Sequence, residues 1–322
     1  MRTYNQLTQD QRYHIAGLNR TGASQSNIAF AVGIHKSTVS RELKRNSGLR
    51  GYAPKQAHAS SDERRRAARK SIKMTLSLKQ KIEDYLHQDW SPDQISGYLF
   101  REKALSISHE RIYQYILEDK KLGGTLYQHL RHSNKKRKKR YGSHDRCGQI
   151  KNRVSIEERP AIVDKKTRLG DWEIDTVIGK NHKGALVTIV DRVSKVTVIQ
   201  KVSTKHAEGV TDATIKGLLP YVDYMHTITG DNGTEFAGHE LISKALGINF
   251  YFAHPYSSWE RGCNENTNGL IRQYVPKGSS FDHVTNKDAK KIMTRLNNRP
   301  RKSLGYRTPN EFWFERTGRI AA

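Results

Sequence analysis

The sequence DWEIDTVI at residues 171–178 decides the fold of the second half of the chain, because the hydrophobic spacing changes there from helical to strand-like. Polar and apolar residues alternate along this stretch, as in a β-strand with one buried face. A turn at 181–184 ends in glycine, a nearly continuous apolar run follows at 186–190, and another covers 196–202. We therefore predict three consecutive strands joined by tight turns, which is an antiparallel arrangement.

Helices and strands alternate beyond these three strands. The pattern predicts helices at 206–219, 238–246 and 259–274, and strands at 226–229 and 248–252. An antiparallel set followed by strand–helix units implies a mixed sheet with helices on its faces. We therefore assign residues 166–280 to an α/β core with a mixed five-stranded sheet and flanking helices.

Three carboxylates occur where such a fold gathers functional groups. Asp175 lies in the first strand, Asp231 directly follows the fourth, and Glu265 belongs to the last helix, with 33 residues between the latter two. Converging carboxylates repel one another unless a cation is present. Their hard oxygen atoms favour Mg²⁺ (or Mn²⁺), and two such ions about 3.5–4 Å apart support in-line phosphoryl transfer. We predict that these three residues are catalytic and bind metal.

Other acidic residues compete for these roles. Glu173 shares a strand face with Asp175, and further candidates are Asp171, Asp191 and Glu235. Strand placement favours Asp175 over Glu173, but the composition by itself leaves the choice open. Taken singly, each chosen acid is equally well explained as a turn cap or as a solvated side chain.

The N-terminal fifty residues have the pattern of a helix-turn-helix. Thr8 and Gln11 fit a capping box before a helix at 9–20, and Gly22 and Gly33 end the first and second helices. The third helix presents hydroxyls near its start and cations further along, which suits base edges first and phosphates second. The predicted DNA-binding side chains are Lys36, Ser37, Thr38, Ser40, Arg41, Lys44 and Arg45. We assign residues 1–50 to an all-α, helix-turn-helix DNA-binding domain.

Residues 51–130 are predicted to contain a polar, basic linker and a second helical unit. Ser91 and Pro92 provide a strong helix start in this unit, and apolar residues recur around them at helical spacing. The unit suits a second helix-turn-helix, and it equally suits a bundle used for packing or dimerisation. The sequence leaves both alternatives open.

The remaining segments are a basic linker and a C-terminal extension. Seven of the ten residues 131–140 are Lys or Arg, a composition that cannot build a core, so we assign residues 131–165 to a linker. Residues 281–322 form a C-terminal helical extension, and its final helix is predicted to pack on the core through Phe312 and Trp313.

The formal net charge of +25 indicates a polyanionic partner, with nucleic acid as the first choice and an anionic membrane surface as the second. The chain has no apolar run of transmembrane length, and its N-terminus lacks the apolar stretch of a signal peptide. We expect a soluble cytoplasmic protein, associated with the nucleoid and not with a membrane. The two cysteines, Cys147 and Cys263, form neither a disulfide framework nor a zinc spacing.

Four motifs identify a family. They are GDWEID at 170–175, TGDNGTEF at 229–236, HPYSSWERG at 254–262 running into NEN at 264–266, and LNNRPRK at 296–302 followed by LGY at 304–306. Together they resemble transposases of the insertion-sequence-30 family, which are bacterial enzymes with a ribonuclease-H-like catalytic core. The helix-turn-helix extends the resemblance over nearly the whole chain. The chain departs from the family motif at Ile174, where glycine is frequent, and this does not affect the acidic triad.

The resemblance implies a recombinase that acts at the terminal inverted repeats of its own element. Water would attack a phosphodiester at the element end, and the freed 3′-hydroxyl would attack another phosphodiester in target DNA. Neither step needs a covalent enzyme intermediate or a nucleotide cofactor. Asp175, Asp231 and Glu265 would hold the metal ions. The partners are therefore double-stranded DNA (inverted-repeat ends and target) and, because two ends must be paired, further copies of the chain in a homodimer or higher homo-oligomer.

Residues around Glu265 are predicted to contact DNA. Three side chains at spacings of four along its helix suit the DNA backbone near the scissile phosphate, and they equally suit plain solvation: Asn264, Asn268 and Arg272. Tyr256, Trp259 and Arg261 precede or open this helix and suit stacking on DNA or clamping it. Trp259 is equally well explained as a core anchor.

Two other functions share part of this pattern. One is a DNA-binding regulator whose nuclease-like domain is inert and serves for assembly, and the other is a simple endonuclease without strand transfer. The three acids at a coherent spacing favour an enzyme over the regulator, because an inert domain has no need of them.

Overall fold

The computed structural model of the chain describes residues 6–67, 74–131, 150–255 and 257–321. It divides into two compact units, Met1–Lys73 and Met74–Ala322. Most of the predicted basic linker (132–149, with Cys147) and Tyr256 lie outside the described residues.

The first unit contains helices and one short hairpin. They are α1 (Gln9–Arg20), α2 (Gln25–Val32), α3 (Lys36–Asn46), β1 (Ser47–Gly48), β2 (Gly51–Tyr52) and α4 (Pro54–Ala67). The hydroxyl of Thr8 accepts a hydrogen bond from the backbone N–H of Gln11 at 3.1 Å, and the Gln11 side chain accepts one from the N–H of Thr8 at 3.0 Å. The predicted capping box is therefore confirmed. Gly33 ends α2 in the left-handed region, with φ at +69°.

Helix α4 extends this unit past the predicted boundary at residue 50. Ala57 of α4 is buried in the same core as the first three helices. Tyr52 is buried and donates to Glu42 of α3 at 3.0 Å, and Glu42 also pairs with Arg12 of α1 at 2.8 Å. Residues 51–67 therefore belong to the N-terminal unit and are not a linker, because they complete its apolar core.

The second helical unit consists of three helices with a common core. They are α5 (Leu76–His87), α6 (Pro92–Lys103) and α7 (His109–Lys121). Ser91 and Gln94 form a capping box at the start of α6, which confirms the predicted helix start. The ring of Tyr306 lies directly against Gly97 of α6, and Arg101 pairs with Glu311 at 2.8 Å. These contacts favour the packing alternative for α6.

The predicted mixed sheet is confirmed. Its strands are β3 (Asp171–Ile178), β4 (Ala185–Asp191), β5 (Thr197–Val202), β6 (Thr227–Gly230) and β7 (Asn249–Phe252), in the order β5-β4-β3-β6-β7. The pairs β3–β4 and β4–β5 are antiparallel, whereas β3–β6 and β6–β7 are parallel. Strand β3 is therefore the central strand, with the antiparallel set on one side and the parallel strands on the other.

Helices cover both faces of the sheet. They are α9 (Ala207–Leu218), α10 (His239–Leu246), α11 (Gly262–Ile271), α12 (Asn286–Asn297) and α13 (Pro309–Thr317), and a short α8 (Ile162–Lys165) precedes β3. The predicted helix at 259–274 is shorter, because Ser258–Arg261 is a separate 3₁₀ turn before α11. Side chains of β3 alternate between two cores, with Trp172 and Ile174 in one and Val177 in the other.

The C-terminal extension packs on the core as predicted. Trp313 of α13 is 2% exposed and meets Trp172 of β3 with ring centroids 6.1 Å apart, and Phe312 beside it is also buried. Within the described residues, no helix is both long enough and apolar enough to cross a membrane.

Candidate active site

Asp175 lies on the face of the central strand that α11 covers. One of its oxygens accepts a hydrogen bond from the amide of Asn268 at 2.8 Å, and the other accepts the backbone N–H of Thr176 at 2.8 Å. Asn268 in turn accepts a hydrogen bond from the hydroxyl of Thr188 on β4 at 3.0 Å. Asp175 is thus held by its own strand, the neighbouring strand and the helix above.

Asp231 reaches the same place because it follows β6, the parallel neighbour of β3. Gly230 allows the close approach of this strand end, since a Cβ there would lie 2.9 Å from the ring of Phe250. One oxygen of Asp231 accepts the backbone N–H of Gly233 at 2.9 Å. The other oxygen accepts a hydrogen bond from Arg261 at 3.0 Å.

Arg261 joins the two aspartates. Its guanidinium donates to Asp231 at 3.0 Å and to the backbone carbonyl of Ile174 at 2.9 Å, and it lies 3.8 Å from the carboxylate of Asp175. The Arg261 side chain is only 11% exposed. A cation therefore lies between two of the predicted metal ligands.

The electrostatic surroundings shift the protonation of Asp175. Burial raises the pKa of its carboxyl group to about 6, the positive charge of Arg261 opposes the shift, and the charges of Asp231 and Glu235 add to it. The site thus contains a carboxylate that is costly to keep ionised without a compensating cation.

Glu235 is a further acid at this site. It is 7% exposed, it accepts a hydrogen bond from the hydroxyl of Thr176 at 2.9 Å, and Lys205 lies 4.0 Å away. A Cβ at Gly233 would lie 2.5 Å from Glu235 and 2.9 Å from Asp231, so both carboxylates flank the same loop. The sequence alternative Glu235 is therefore brought to the site with Asp175 and Asp231.

Of the three predicted metal ligands, Glu265 is the one that does not lie beside the others in the structure. It is exposed on α11 and makes no hydrogen bond or ion pair with the described residues. Within that part of the chain, no three His, Cys, Asp or Glu side chains are close enough to hold a metal ion. The structure therefore joins Asp175 to Asp231 and leaves Glu265 outside this pair, one helical turn beyond Arg261.

The other acidic alternatives have roles in the fold. Glu173 is 1% exposed and accepts the backbone N–H of Asn264 at 3.0 Å, with Arg192 at 3.6 Å. Asp171 pairs with Arg168 at 2.9 Å. Asp191 accepts backbone N–H groups in the turn after β4. Each of these acids is held by an internal partner away from the Asp175–Asp231 pair.

The three side chains of α11 that are predicted to contact DNA make contacts within the protein in this structure. Asn264 is 1% exposed, so its side chain has no access to a DNA backbone. The amide of Asn268 is bound to Asp175 and Thr188. The guanidinium of Arg272 donates to the backbone carbonyl of Ile178 at 3.1 Å. The surface of α11 that carries these three residues faces the sheet in this structure, and their contact with DNA stays a prediction.

Two relatives decide the family of the chain. It is 48% identical over 307 residues to the transposase for insertion sequence element IS4351 of Bacteroides fragilis, a match that covers 95% of this chain and 94% of that protein. It is 38% identical to transposase InsI for insertion sequence element IS30A of Escherichia coli (strain K12), covering 95% of this chain and 82% of that protein. The chain belongs to the insertion-sequence-30 family of transposases.

Two further matches concern its parts. A family model described as a helix-turn-helix domain matches residues 3–46, so the predicted N-terminal motif is confirmed. The catalytic core domain of BIV integrase matches with a TM-score of 0.35 and 21% identity, covering 46% of this chain and 95% of that chain. As a DNA transposase, the protein is a polynucleotidyl transferase.

The third helix of the transposase's helix-turn-helix presents its predicted cations to solvent. Lys36, Arg41, Lys44 and Arg45 are exposed, whereas Ser37, Thr38 and Ser40 are half-buried. A cleft of about 410 Å³ runs beside this helix, and Arg64 and Arg65 of α4 line it together with Arg41 and Arg45. Helix α4 therefore adds cations to the surface that α3 presents.

Sequence reasoning missed two features of the transposase site. The first is Thr188, which donates a hydrogen bond to Asn268, the residue that holds Asp175. A polar residue within the apolar run at 186–190 was the available signal. The second is the exposure of Trp259, which at 75% excludes the core-anchor alternative. Its place in a 3₁₀ turn, and not in α11, is set by tertiary contacts that the sequence pattern does not report.

Proposed function

We propose that the transposase cleaves DNA strands at the terminal inverted repeats of its own insertion sequence and joins the freed ends to target DNA. The observation that carries this proposal is the pair Asp175 and Asp231, held side by side with one guanidinium cation between them. Paired carboxylates that hold a divalent cation support cleavage of a phosphodiester. The net charge of +25 favours binding to DNA.

We infer that the carboxylates hold a divalent metal ion, Mg²⁺ or Mn²⁺. Transposases of this family generally use a divalent metal ion. The guanidinium between Asp175 and Asp231 supports the assignment, because the pair already accommodates one cation. Asp175, Asp231 and Glu265 would be the ligands. When bound, such an ion neutralises charge on the phosphate and polarises its oxygens during in-line displacement.

The chain's own residues prepare this site for DNA. Asn268 holds Asp175 in place through a hydrogen bond of 2.8 Å. Glu173 accepts the N–H of Asn264 in the first turn of α11, and this contact sets the position of the helix that carries Glu265. We propose that Glu265 approaches the aspartates when DNA and metal bind, since α11 carries it one turn beyond Arg261.

DNA recognition is proposed for the N-terminal unit. Helix α3 would enter the major groove and read base edges with its first two turns, while Arg64 and Arg65 of α4 would contact phosphates. Because two element ends must be brought together, we propose a homodimer or a higher homo-oligomer as the active assembly.

The first test measures nicking and strand joining on DNA that carries the element ends, in the presence of Mg²⁺. Asp231→Asn and Glu265→Gln should each lower the cleavage rate by roughly 100-fold or more, as expected for loss of a group that stabilises transition-state charge. Chelation of the metal should stop cleavage and leave DNA binding largely intact.

A matched control and two informative outcomes belong to this test. Asp212→Asn removes an exposed carboxylate of α9 and should cleave at the wild-type rate. Cleavage by Glu265→Gln at the wild-type rate, combined with loss of cleavage in Glu235→Gln, would make Glu235 the third ligand. Normal DNA binding by the wild type without any cleavage would favour a DNA-binding regulator.

A further inference from the structure

Arg261 occupies the position that a metal ion shared by Asp175 and Asp231 would need. Its guanidinium lies 3.0 Å from one carboxylate and 3.8 Å from the other, and its side chain is 11% exposed. A divalent ion and a guanidinium at the same pair of carboxylates would repel each other strongly at such distances. Either Arg261 keeps a metal ion away from these carboxylates, or its side chain moves away from them when the ion binds.

The guanidinium of Arg261 is not fully hydrogen-bonded between the two aspartates. Its Nε–H is buried and has no hydrogen-bond partner among the described residues. The distance to Asp175 exceeds that of a hydrogen bond, so only Asp231 and the carbonyl of Ile174 are bound directly. A buried donor without a partner costs free energy, and this cost is recovered if the side chain moves out.

The surroundings permit such a movement. Arg261 ends the 3₁₀ turn Ser258–Arg261, and a Cβ at the adjoining Gly262 would meet no atom within 4 Å. The chain between the turn and α11 therefore has open space beside Gly262. The side chains of Asp175 and Asp231 remain 24% and 38% exposed, so an ion can approach them from solvent.

Arg261 and Glu265 lie four residues apart, Arg261 at the end of the 3₁₀ turn and Glu265 in the first turn of α11. While Arg261 neutralises the aspartates, Glu265 stays exposed without a partner among the described residues. A third carboxylate beside the pair is favourable only when a cation of higher charge replaces the guanidinium. The departure of Arg261 and the approach of Glu265 are thus two parts of one exchange.

We propose that Arg261 is the counter-cation of the metal-free site and that a divalent metal ion, together with Glu265, replaces it. This inference rests on the proposed metal-dependent function. Arg261 is then a positioning residue that keeps the two aspartates adjacent before the metal arrives, and it lowers their affinity for metal as long as it stays.

The test measures Mn²⁺ binding to the full chain without DNA, by electron paramagnetic resonance of the free ion. Arg261→Gln should bind Mn²⁺ more tightly than the wild type, by roughly tenfold or more, because a competing positive charge beside the ligands is gone. Arg261→Lys keeps the charge but cannot bridge two acceptors as a planar fork does, so its affinity should fall between the two.

Arg153→Gln is the matched control. Arg153 donates a hydrogen bond at 2.6 Å to Asn232, the residue after Asp231, so Arg153→Gln removes a cation that is bound to a neutral side chain. Its Mn²⁺ affinity should equal that of the wild type. A general effect of net charge would instead change Arg153→Gln and Arg261→Gln alike, and this outcome would overturn the proposal.

The remaining outcomes separate this inference from the proposed function. Unchanged or weaker Mn²⁺ binding by a folded Arg261→Gln overturns the role of Arg261, and Arg261→Lys decides in the same way if the glutamine variant does not fold. Asp231→Asn should abolish the tight site. If Asp231→Asn binds Mn²⁺ like the wild type, the metal assignment of the proposed function is wrong, independently of Arg261.

Discussion

Asp175 and Glu173 show how two acids of one strand face acquire different chemistry. Glu173 is 1% exposed and accepts a hydrogen bond from a backbone N–H of α11, so it holds the helix in place. Asp175 lies two residues further and keeps 24% of its side chain exposed beside Asp231 and Arg261. Burial raises its pKa to about 6, the positive charge of Arg261 opposes this shift, and the charge of Asp231 adds to it. Burial first, and the neighbouring acid second, make Asp175 the group whose ionised form a metal ion would stabilise.

The raised pKa of Asp175 predicts how stability depends on pH. Its carboxyl group has an ordinary pKa of 3.8 in the unfolded chain and a pKa of about 6 in the folded one, so the folded state binds more protons between these values. Stability contributed by this group is therefore present at low pH and is lost as the pH rises from about 4 to 6. Asp175→Asn should remove this loss.

The measurement is urea-induced unfolding of the Met74–Ala322 unit within the full chain, at pH 7 and at pH 4. Asp175→Asn should raise the free energy of unfolding at pH 7 by about 1–2 kcal/mol. This is less than the full pKa shift of Asp175 implies, because the side chain is partly exposed to solvent. At pH 4 the difference should nearly vanish. An equal gain at both pH values would assign the effect to packing and not to ionisation.

Among the elements, α11 has two functions on two sides. Its buried side packs on the sheet through Thr267, Leu270 and Ile271. Its other flank carries Glu265, which the structure leaves in solvent, next to Arg261 in the preceding turn. The proposed approach of Glu265 to the aspartates is therefore limited by the packing of α11 on the sheet.

Helix α4, which its sequence indicated to be part of a basic linker, has a structural role in the N-terminal unit. It completes the core of the N-terminal unit through Ala57, and it brings Arg64 and Arg65 into the cleft beside α3. Its exposed arginines therefore have a fixed position relative to the recognition helix. A flexible basic linker would offer the same charge without that position.

Substitutions in α4 and α3 should affect DNA binding in different ways. Arg64→Gln and Arg65→Gln should each weaken binding to all double-stranded DNA and reduce the slope of log affinity against log salt by about 1. Arg41→Ala should instead cost about 1–3 kcal/mol on the element ends only, if it reads a base edge. Fluorescence anisotropy with end-containing and unrelated duplexes, over a range of salt concentrations, distinguishes the two.

Arg66→Gln is the control for this comparison. Arg66 is exposed on the same last turn of α4 but does not line the cleft. Its replacement removes the same charge and should change the salt dependence less than Arg64→Gln does. Equal effects of all three substitutions would mean that α4 contributes only diffuse charge.

The whole molecule consists of two units with separate cores. The Met1–Lys73 unit has its own buried cluster, which includes Ile15, Ile28 and Val39. The Met74–Ala322 unit contains the sheet and the Asp175–Asp231 pair. The proposed end recognition and the proposed strand chemistry therefore belong to two separate compact units of the chain.

Removal of the first unit should separate these two activities. A protein that begins at Met74 should keep its thermal unfolding transition and its Mg²⁺-dependent nicking of DNA. It should lose the preference for element ends over unrelated duplexes, because α3 and the cations of α4 are gone. Competition binding measures this preference. If the shortened protein still selected element ends, recognition would have to be assigned to the second helical unit.

The sequence by itself determined the order of strands and helices in the α/β core, the helix starts at Thr8 and Ser91, and the mixed sheet. These features follow from local physics, since hydroxyl–amide spacing sets a helix start and alternating hydrophobicity sets a strand. It also placed Asp175 in one strand and Asp231 directly after another, and the structure then showed that these two strands are parallel neighbours. The family motifs belong to this same level, since they are read from the chain alone.

Only the tertiary structure decided what each polar group meets. Glu173 and Asp175 have the same strand face and similar local sequence, yet one anchors α11 and the other joins Asp231 and Arg261. The placement of Arg261 between the aspartates, with Glu265 still in solvent, could not be predicted, because it depends on where a turn and a helix end after long-range packing. Charge interactions act across the fold and not along the chain, so the chemistry of the site becomes visible only when the strands and α11 are assembled.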